Sequence, residues 1–193
     1  MQLLGKKPDF KNLNTSRRQI LKLGMLTAVA SFLPTHLFAA INRHLKTEKT
    51  IAFYNTHTNE SLNVCYYRQG NYRVNVLKQI NYILRDHRNN EIKPIDTQLL
   101  EFLNAISLAL DTRSPFHVIS GYRSPTSNAM LRQNSRNVAA KSLHMLGRAI
   151  DIRLPECSTS SLQSVAMNMQ RGGVGYYPRL DFVHVDTGRV RYW

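Results

Sequence analysis

The sequence predicts an α+β domain, and three observations carry that prediction. Two stretches with helical spacing of apolar residues come early, at residues 76–84 and 99–110. Segments rich in β-branched and aromatic residues lie before them and gather again near the end of the chain. Strands and helices therefore occur in runs rather than in the regular alternation of a parallel βαβ protein. The 193 residues, 42% hydrophobic and 20% charged, are room for one domain with its own core.

The elements follow in order. Residues 50–54 (TIAFY) and 62–67 (LNVCYY) flank a polar stretch from Asn55 to Glu60, a β-hairpin pattern. Val76, Leu77, Ile80, Ile83 and Leu84 share one helix face, and the run His87-Arg88-Asn89-Asn90 ends it. Asp96 is a suitable N-cap for a second helix with the buried stripe Leu99, Leu100, Leu103, Ile106 and Leu110. Residues 116–119 read as a short strand, followed by a loop, Ser120-Gly121-Tyr122-Arg123-Ser124-Pro125, that opens a helix to about Gln133. Residues 149–154 form the next strand. A helix over 158–170 is expected to stop at Gly172-Gly173, where glycine adopts the left-handed cap. Residues 174–177 and 182–185 read as two closing strands with Pro178 in their turn.

The N-terminus reads as an address. Ser16-Arg17-Arg18-Gln19-Ile20-Leu21-Lys22 precedes a modest apolar run from Leu23 to Leu33, and Ala39-Ala40 offers a small-residue cleavage boundary. The pattern resembles a twin-arginine export signal; the rival reading is a basic amphipathic helix or an uncleaved anchor. The expected organisation is a leader over 1–39, a linker over 40–49 and a domain over 50–193. No uninterrupted apolar stretch reaches the length of a membrane span, so no stable span is expected after processing. The formal net charge is +14, and removing six basic residues and one acidic residue with the leader leaves +9. A basic domain exported to the periplasm meets the envelope rather than nucleic acid, so its expected partners are the export machinery and carboxylate-bearing stem peptides of peptidoglycan.

Of seven histidines, His144 and His184 stand in unusual surroundings. His144 precedes Asp151 by seven positions, and Asp151 lies between Ile150 and Ile152 on an apolar strand. A carboxylate there needs a cation, a proton or several donors. In Phe182-Val183-His184-Val185-Asp186 the alternation places Phe182, His184 and Asp186 on one strand face. Two readings follow from spacing alone: His144, Asp151 and His184 are three ligands of a tetrahedral Zn²⁺ with one open position, or Asp151 pairs with an arginine and both histidines are ordinary strand residues. His36, His44, His57, His87 and His117 take surface or core roles by default.

The pattern Ser142-x-His144-x-x-Gly147-x-Ala149-x-Asp151, followed by His184-x-Asp186, resembles the zinc peptidases that include D-Ala-D-Ala carboxypeptidases, lysostaphin-type enzymes and the hedgehog fold. The Ser120–Ser124 loop and Gly173-Val174-Gly175-Tyr176-Tyr177-Pro178 are similar to segments of the same group, the latter to its small-peptidase branch. The resemblance extends over nearly the whole chain to the periplasmic murein endopeptidases. It implies a central antiparallel sheet with flanking helices, one Zn²⁺ per chain on His144, Asp151 and His184, and hydrolysis of peptide cross-links in the cell wall. The alternatives are a D-Ala-D-Ala carboxypeptidase or a non-catalytic peptidoglycan-binding relative. By the same resemblance Arg123 stabilises the developing oxyanion or grips substrate; unattached to the family, it is a surface-paired loop arginine. Two carboxylates compete as general base: Asp181, three residues before the last ligand, and Asp186, which could instead orient the His184 ring. Tyr176 and Tyr177 read as packing residues, and Cys65 and Cys157 as free, buried thiols.

Overall fold

The computed structural model describes residues 48–134 and 138–193. The leader expected over 1–39, and all but the last two residues of the expected linker, lie outside the described residues.

Eight strands form one sheet in the order β3-β2-β1-β4-β5-β7-β6-β8. β1 (Lys49–Asn55) and β2 (Ser61–Arg68) make the expected hairpin, with Phe53 opposite Leu62. β3 (Asn71–Tyr72) extends that edge by two residues. α1 (Val74–Ile83) and α2 (Thr97–Ala109) follow, and the Asp96 carboxylate accepts the Gln98 N–H at the start of α2. Leu99, Leu100, Phe102, Leu103 and Ile106 of α2 are buried, while Leu110 caps its end. The chain then returns as β4 (Phe116–Ser120), which lies parallel to β1.

α3 (Pro125–Asn134) leads toward a single 3-10 turn, Leu143–Leu146, and then β5 (Ala149–Arg153) pairs antiparallel with β4. α4 (Thr159–Asn168), capped by the Ser158 hydroxyl, precedes β6 (Gly173–Tyr177). A 3-10 turn at Pro178–Leu180 connects to β7 (Phe182–Asp186), which pairs antiparallel with both β6 and β5. β8 (Arg191–Tyr192) closes the other edge, parallel to β6. The sheet is thus antiparallel through its centre and mixed overall, because β1–β4 and β6–β8 run parallel.

Strand alternation sorts the central residues between two faces. Ile150 and Ile152 on β5, with Val183 and Val185 on β7, join the core that α1, α2 and α4 supply with Ile80, Leu99, Phe102, Leu103, Ile106 and Leu162. The opposite face of the same two strands carries Asp151 and His184, paired directly across the ladder.

The glycines after α4 differ from the expectation. The left-handed residue is Gln170 (φ 51°), not glycine. Gly172 is there for close approach instead: a methyl group on it would strike the Asp186 carbonyl oxygen. Cys65 and Cys157 are free thiols, each half-buried.

Candidate metal centre

Three chain segments deliver the side chains of the candidate site. The Ser142 hydroxyl accepts the His144 N–H and starts the 3-10 turn. Gly147 ends the turn at φ 66°, in the left-handed region, where its missing Cβ also clears the Pro94 carbonyl. The chain can then reverse at once into β5, which brings Asp151 back beneath His144. His184 arrives from β7 by the register already described.

His144 Nε2, His184 Nδ1 and Asp151 Oδ1 converge. The histidine nitrogens are 3.2 Å apart, and Asp151 Oδ1 lies 3.3 Å from His144 Nε2 and 2.8 Å from His184 Nδ1. The outer ring nitrogens determine what those inner atoms can be. His144 Nδ1 faces the Gly121 carbonyl at 2.7 Å, which can only accept, so Nδ1 carries the hydrogen. His184 Nε2 faces Asp186 Oδ2 at 3.0 Å and donates to it. Both inner nitrogens are then left as lone pairs aimed at a carboxylate oxygen. Three electron-pair donors meeting in a nearly dry place require positive charge among them.

A proton on His184 Nδ1, in place of its lone pair, would supply that charge in part. Burial pushes the imidazole down, but the Asp151 and Asp186 carboxylates outweigh it and raise it to about 9. Asp151 feels burial in the opposite sense, and the two histidines hold it well below the usual carboxylate range. A divalent cation satisfies all three donors at once, and two imidazoles with one carboxylate are a fitting set for it. Within the described residues this is the cluster of such side chains with metal-like geometry.

Asp186 is fully buried, and both its oxygens are engaged. Oδ1 accepts the N–H groups of Gly173 and Gly188, and Arg191 bridges both oxygens at 3.1 and 2.7 Å. Burial raises its pKa, yet hydrogen bonds from His184, Arg191 and Gly188 hold it low. Asp186 therefore meets the His184 ring as an anion.

Asp181 sits elsewhere. It occupies a left-handed turn (φ 52°), its side chain is 61% exposed, and it accepts from Thr159 at 2.6 Å and pairs with Arg153 at 3.2 Å. It is not among the residues lining the cleft over the metal centre.

Arg123 does line that cleft, which encloses about 400 Å³. Its loop is tied down from both sides: the Tyr122 N–H donates to the Leu84 carbonyl, the Arg123 N–H to the His144 carbonyl, and the Ser124 N–H to the buried Asp86. The guanidinium reaches Ser120 and Asn128, and Nη2 stands 3.7 Å from Asp151 Oδ2. Asp151 thus faces two histidines through one oxygen and an arginine through the other.

Arg191 and Trp193 were not expected at the site. The available signal was the pair Gly173 and Gly175, two glycines that share a strand face and leave it open for other side chains. Arg191 fills the space over Gly173, and the Trp193 indole fills that over Gly175.

Comparison with known proteins agrees with this architecture. The sequence profile of the family described as "Peptidoglycan L,D-endopeptidase MepK" matches residues 43–193. The peptidoglycan L,D-endopeptidase MepK of Escherichia coli strain K12 is 39% identical over 180 residues, covering 93% of this chain and 98% of that protein. The probable peptidoglycan L,D-endopeptidase MepK of Haemophilus influenzae is 36% identical over 179 residues, covering 92% and 95%. With a match across three quarters of its length and relatives aligned almost end to end, the chain belongs to the MepK family of peptidoglycan endopeptidases.

Proposed function

We propose that this member of a peptidoglycan endopeptidase family hydrolyses an L,D-peptide bond of murein at the His144–Asp151–His184 centre, with Zn²⁺ as its metal. The observation that carries the proposal is the convergence of His144 Nε2, His184 Nδ1 and Asp151 Oδ1, with each outer ring nitrogen already committed to an acceptor. The chemistry supplied at such a centre is activation of water and polarisation of an amide carbonyl.

The chain's own residues do the rest. His144 and His184 are kept in the tautomers that ligation needs by Gly121 O and Asp186. Arg123, fixed on its loop at the cleft wall, donates to the oxygen on which negative charge develops. Asp186 is assigned to orientation of His184 rather than to proton transfer, because its oxygens have no free lone-pair direction toward the cleft. Asp181 has a conformational reason to be acidic, since aspartate is among the few side chains suited to a left-handed turn. We therefore do not assign it the proton-transfer step.

Residues 1–39 are proposed as a twin-arginine leader, 40–49 as a linker and 50–193 as the peptidase domain, acting in the periplasm. Among the described residues no helix is long and apolar enough to cross a membrane. The net charge of +9 left without the leader suits a substrate rich in carboxylates.

Digestion of purified murein sacculi, with mass spectrometry of the released fragments, tests the proposal. Fragments severed at an L,D-peptide bond, lost on chelation and restored by Zn²⁺, are expected. Release of terminal D-alanine alone would mark a carboxypeptidase, and binding without any fragment would mark a non-catalytic relative.

A further inference from the structure

Trp193 stands in the cleft in a manner that core packing does not explain. It is 48% exposed, yet it is pinned from several directions. Its backbone continues the pairing of β8 with β6: the Tyr176 N–H donates to the Trp193 carbonyl and the Trp193 N–H to that of Val174. The indole N–H donates to the Tyr177 hydroxyl at 2.8 Å. The Arg191 guanidinium lies 4.8 Å from its ring centroid. The indole centroid is 5.3 Å from that of His184.

The seat beneath the ring is built by an absent side chain. Gly175 lies directly opposite His184 in the β6–β7 register. A methyl group on Gly175 would come within 2.6 to 2.8 Å of Cε2, Cζ2 and Nε1 of the indole. Any other residue at 175 would push the ring out over the cleft or against His184. A large aromatic surface held this firmly, with nearly half its area left open, is available to a ligand in the cleft; tryptophan is on average highly buried.

We propose that Trp193, seated on Gly175 and locked through Tyr177, is a specificity-determining wall of the cleft, and that it receives the apolar stretch of the amino acid flanking the cleaved bond. The indole lies beside His184, with ring centroids 5.3 Å apart, so a residue next to the reacting carbonyl is within its reach. In a murein stem that stretch is the methylene run of the diamino acid. The inference rests on the hydrolase reading of the same cleft, and its tests separate the two.

Steady-state hydrolysis of a soluble cross-linked stem peptide by the zinc-loaded enzyme is the first test. Trp193→Ala is expected to raise KM roughly tenfold with a smaller change in kcat, and Trp193→Phe to recover part of the loss. Gly175→Ala is expected to reproduce the Trp193→Ala effect while zinc content stays at the wild-type level, which damage to His184 would lower. Unchanged KM in Trp193→Ala, or full activity in Gly175→Ala, overturns the wall. The second test uses emission, because Trp193 is the single tryptophan of the chain. Adding the same peptide to metal-stripped protein is expected to shift its emission to the blue and to protect it from acrylamide. Binding seen by calorimetry with silent emission, or no binding at all, overturns the wall. An emission response in a protein that never hydrolyses murein when loaded would leave the wall standing and remove the hydrolase.

Discussion

The two faces of the β5–β7 ladder are built from alternate residues of the same ten positions, and they obey opposite rules. On one face Ile150, Ile152, Val183 and Val185 belong to the apolar core to which α1, α2 and α4 also contribute. On the other, Asp151 and Asp186 are buried and His184 is half-buried, and each of these polar groups depends on a named partner. The apolar face is stabilised by area removed from water and tolerates exchange of one hydrocarbon for another. The polar face has no such latitude, since loss of one donor or acceptor strands another in a dry place. Stability and chemistry are thereby separated by a single step along a strand.

Substitution can break that separation, and the largest effect is expected at the ligands. His144→Ala, Asp151→Ala and His184→Ala should each abolish hydrolysis of murein while far-ultraviolet circular dichroism stays native. Phe102→Ala on α2 should do the reverse: about 3–5 kcal/mol of stability lost in urea unfolding, with metal stoichiometry retained. Next comes Arg123→Ala, for which kcat is expected to fall by about 10²–10³ with metal content unchanged, the magnitude typical of removing one donor from a developing oxyanion.

Asp186→Asn acts one shell further out. It weakens the acceptor for His184 Nε2 and its pairing with Arg191, so metal affinity or activity should drop by about 10–100-fold. Asp181→Asn is the control for this assignment: asparagine also suits the left-handed turn, and hydrolysis should remain close to wild type.

The smallest effect concerns pH and lies away from the centre. His87 stacks on His57 with ring centroids 3.8 Å apart, and burial, joined by nearby Arg88 and His57, pushes it down to about 4. The unfolded chain takes up this proton first, near its ordinary value of 6.5. Stability should therefore be full above that value and decline as pH falls from about 6.5 to about 4. His87→Phe should flatten this segment of the urea-midpoint profile.

Local signals in the sequence were sufficient wherever an element stabilises itself. The Asp96 cap and the apolar stripe of α2 needed nothing distant, and the hairpin β1–β2 joins neighbours in sequence. β3 and β8 have two residues each, too few to display any period, and the parallel pairings of β1 with β4 and of β6 with β8 depend on contacts remote in sequence. The same division runs through the site. His144, Asp151 and His184 stood out because polar groups were set among apolar ones. Arg191 and Trp193 did not, because what places them is the cleared face of β6, and a glycine reads first as a turn. Asp181 drew notice for its acidity, and its left-handed backbone is a second reason for an aspartate that the sequence did not display.

Metal analysis by inductively coupled plasma mass spectrometry on protein dialysed against trace Zn²⁺ is the most direct measurement of the central claim. One zinc per chain is expected in the wild type and none in His144→Ala, Asp151→Ala or His184→Ala, each still folded. Zinc retained at full stoichiometry in any of these variants, or absent from the wild type, would contradict it.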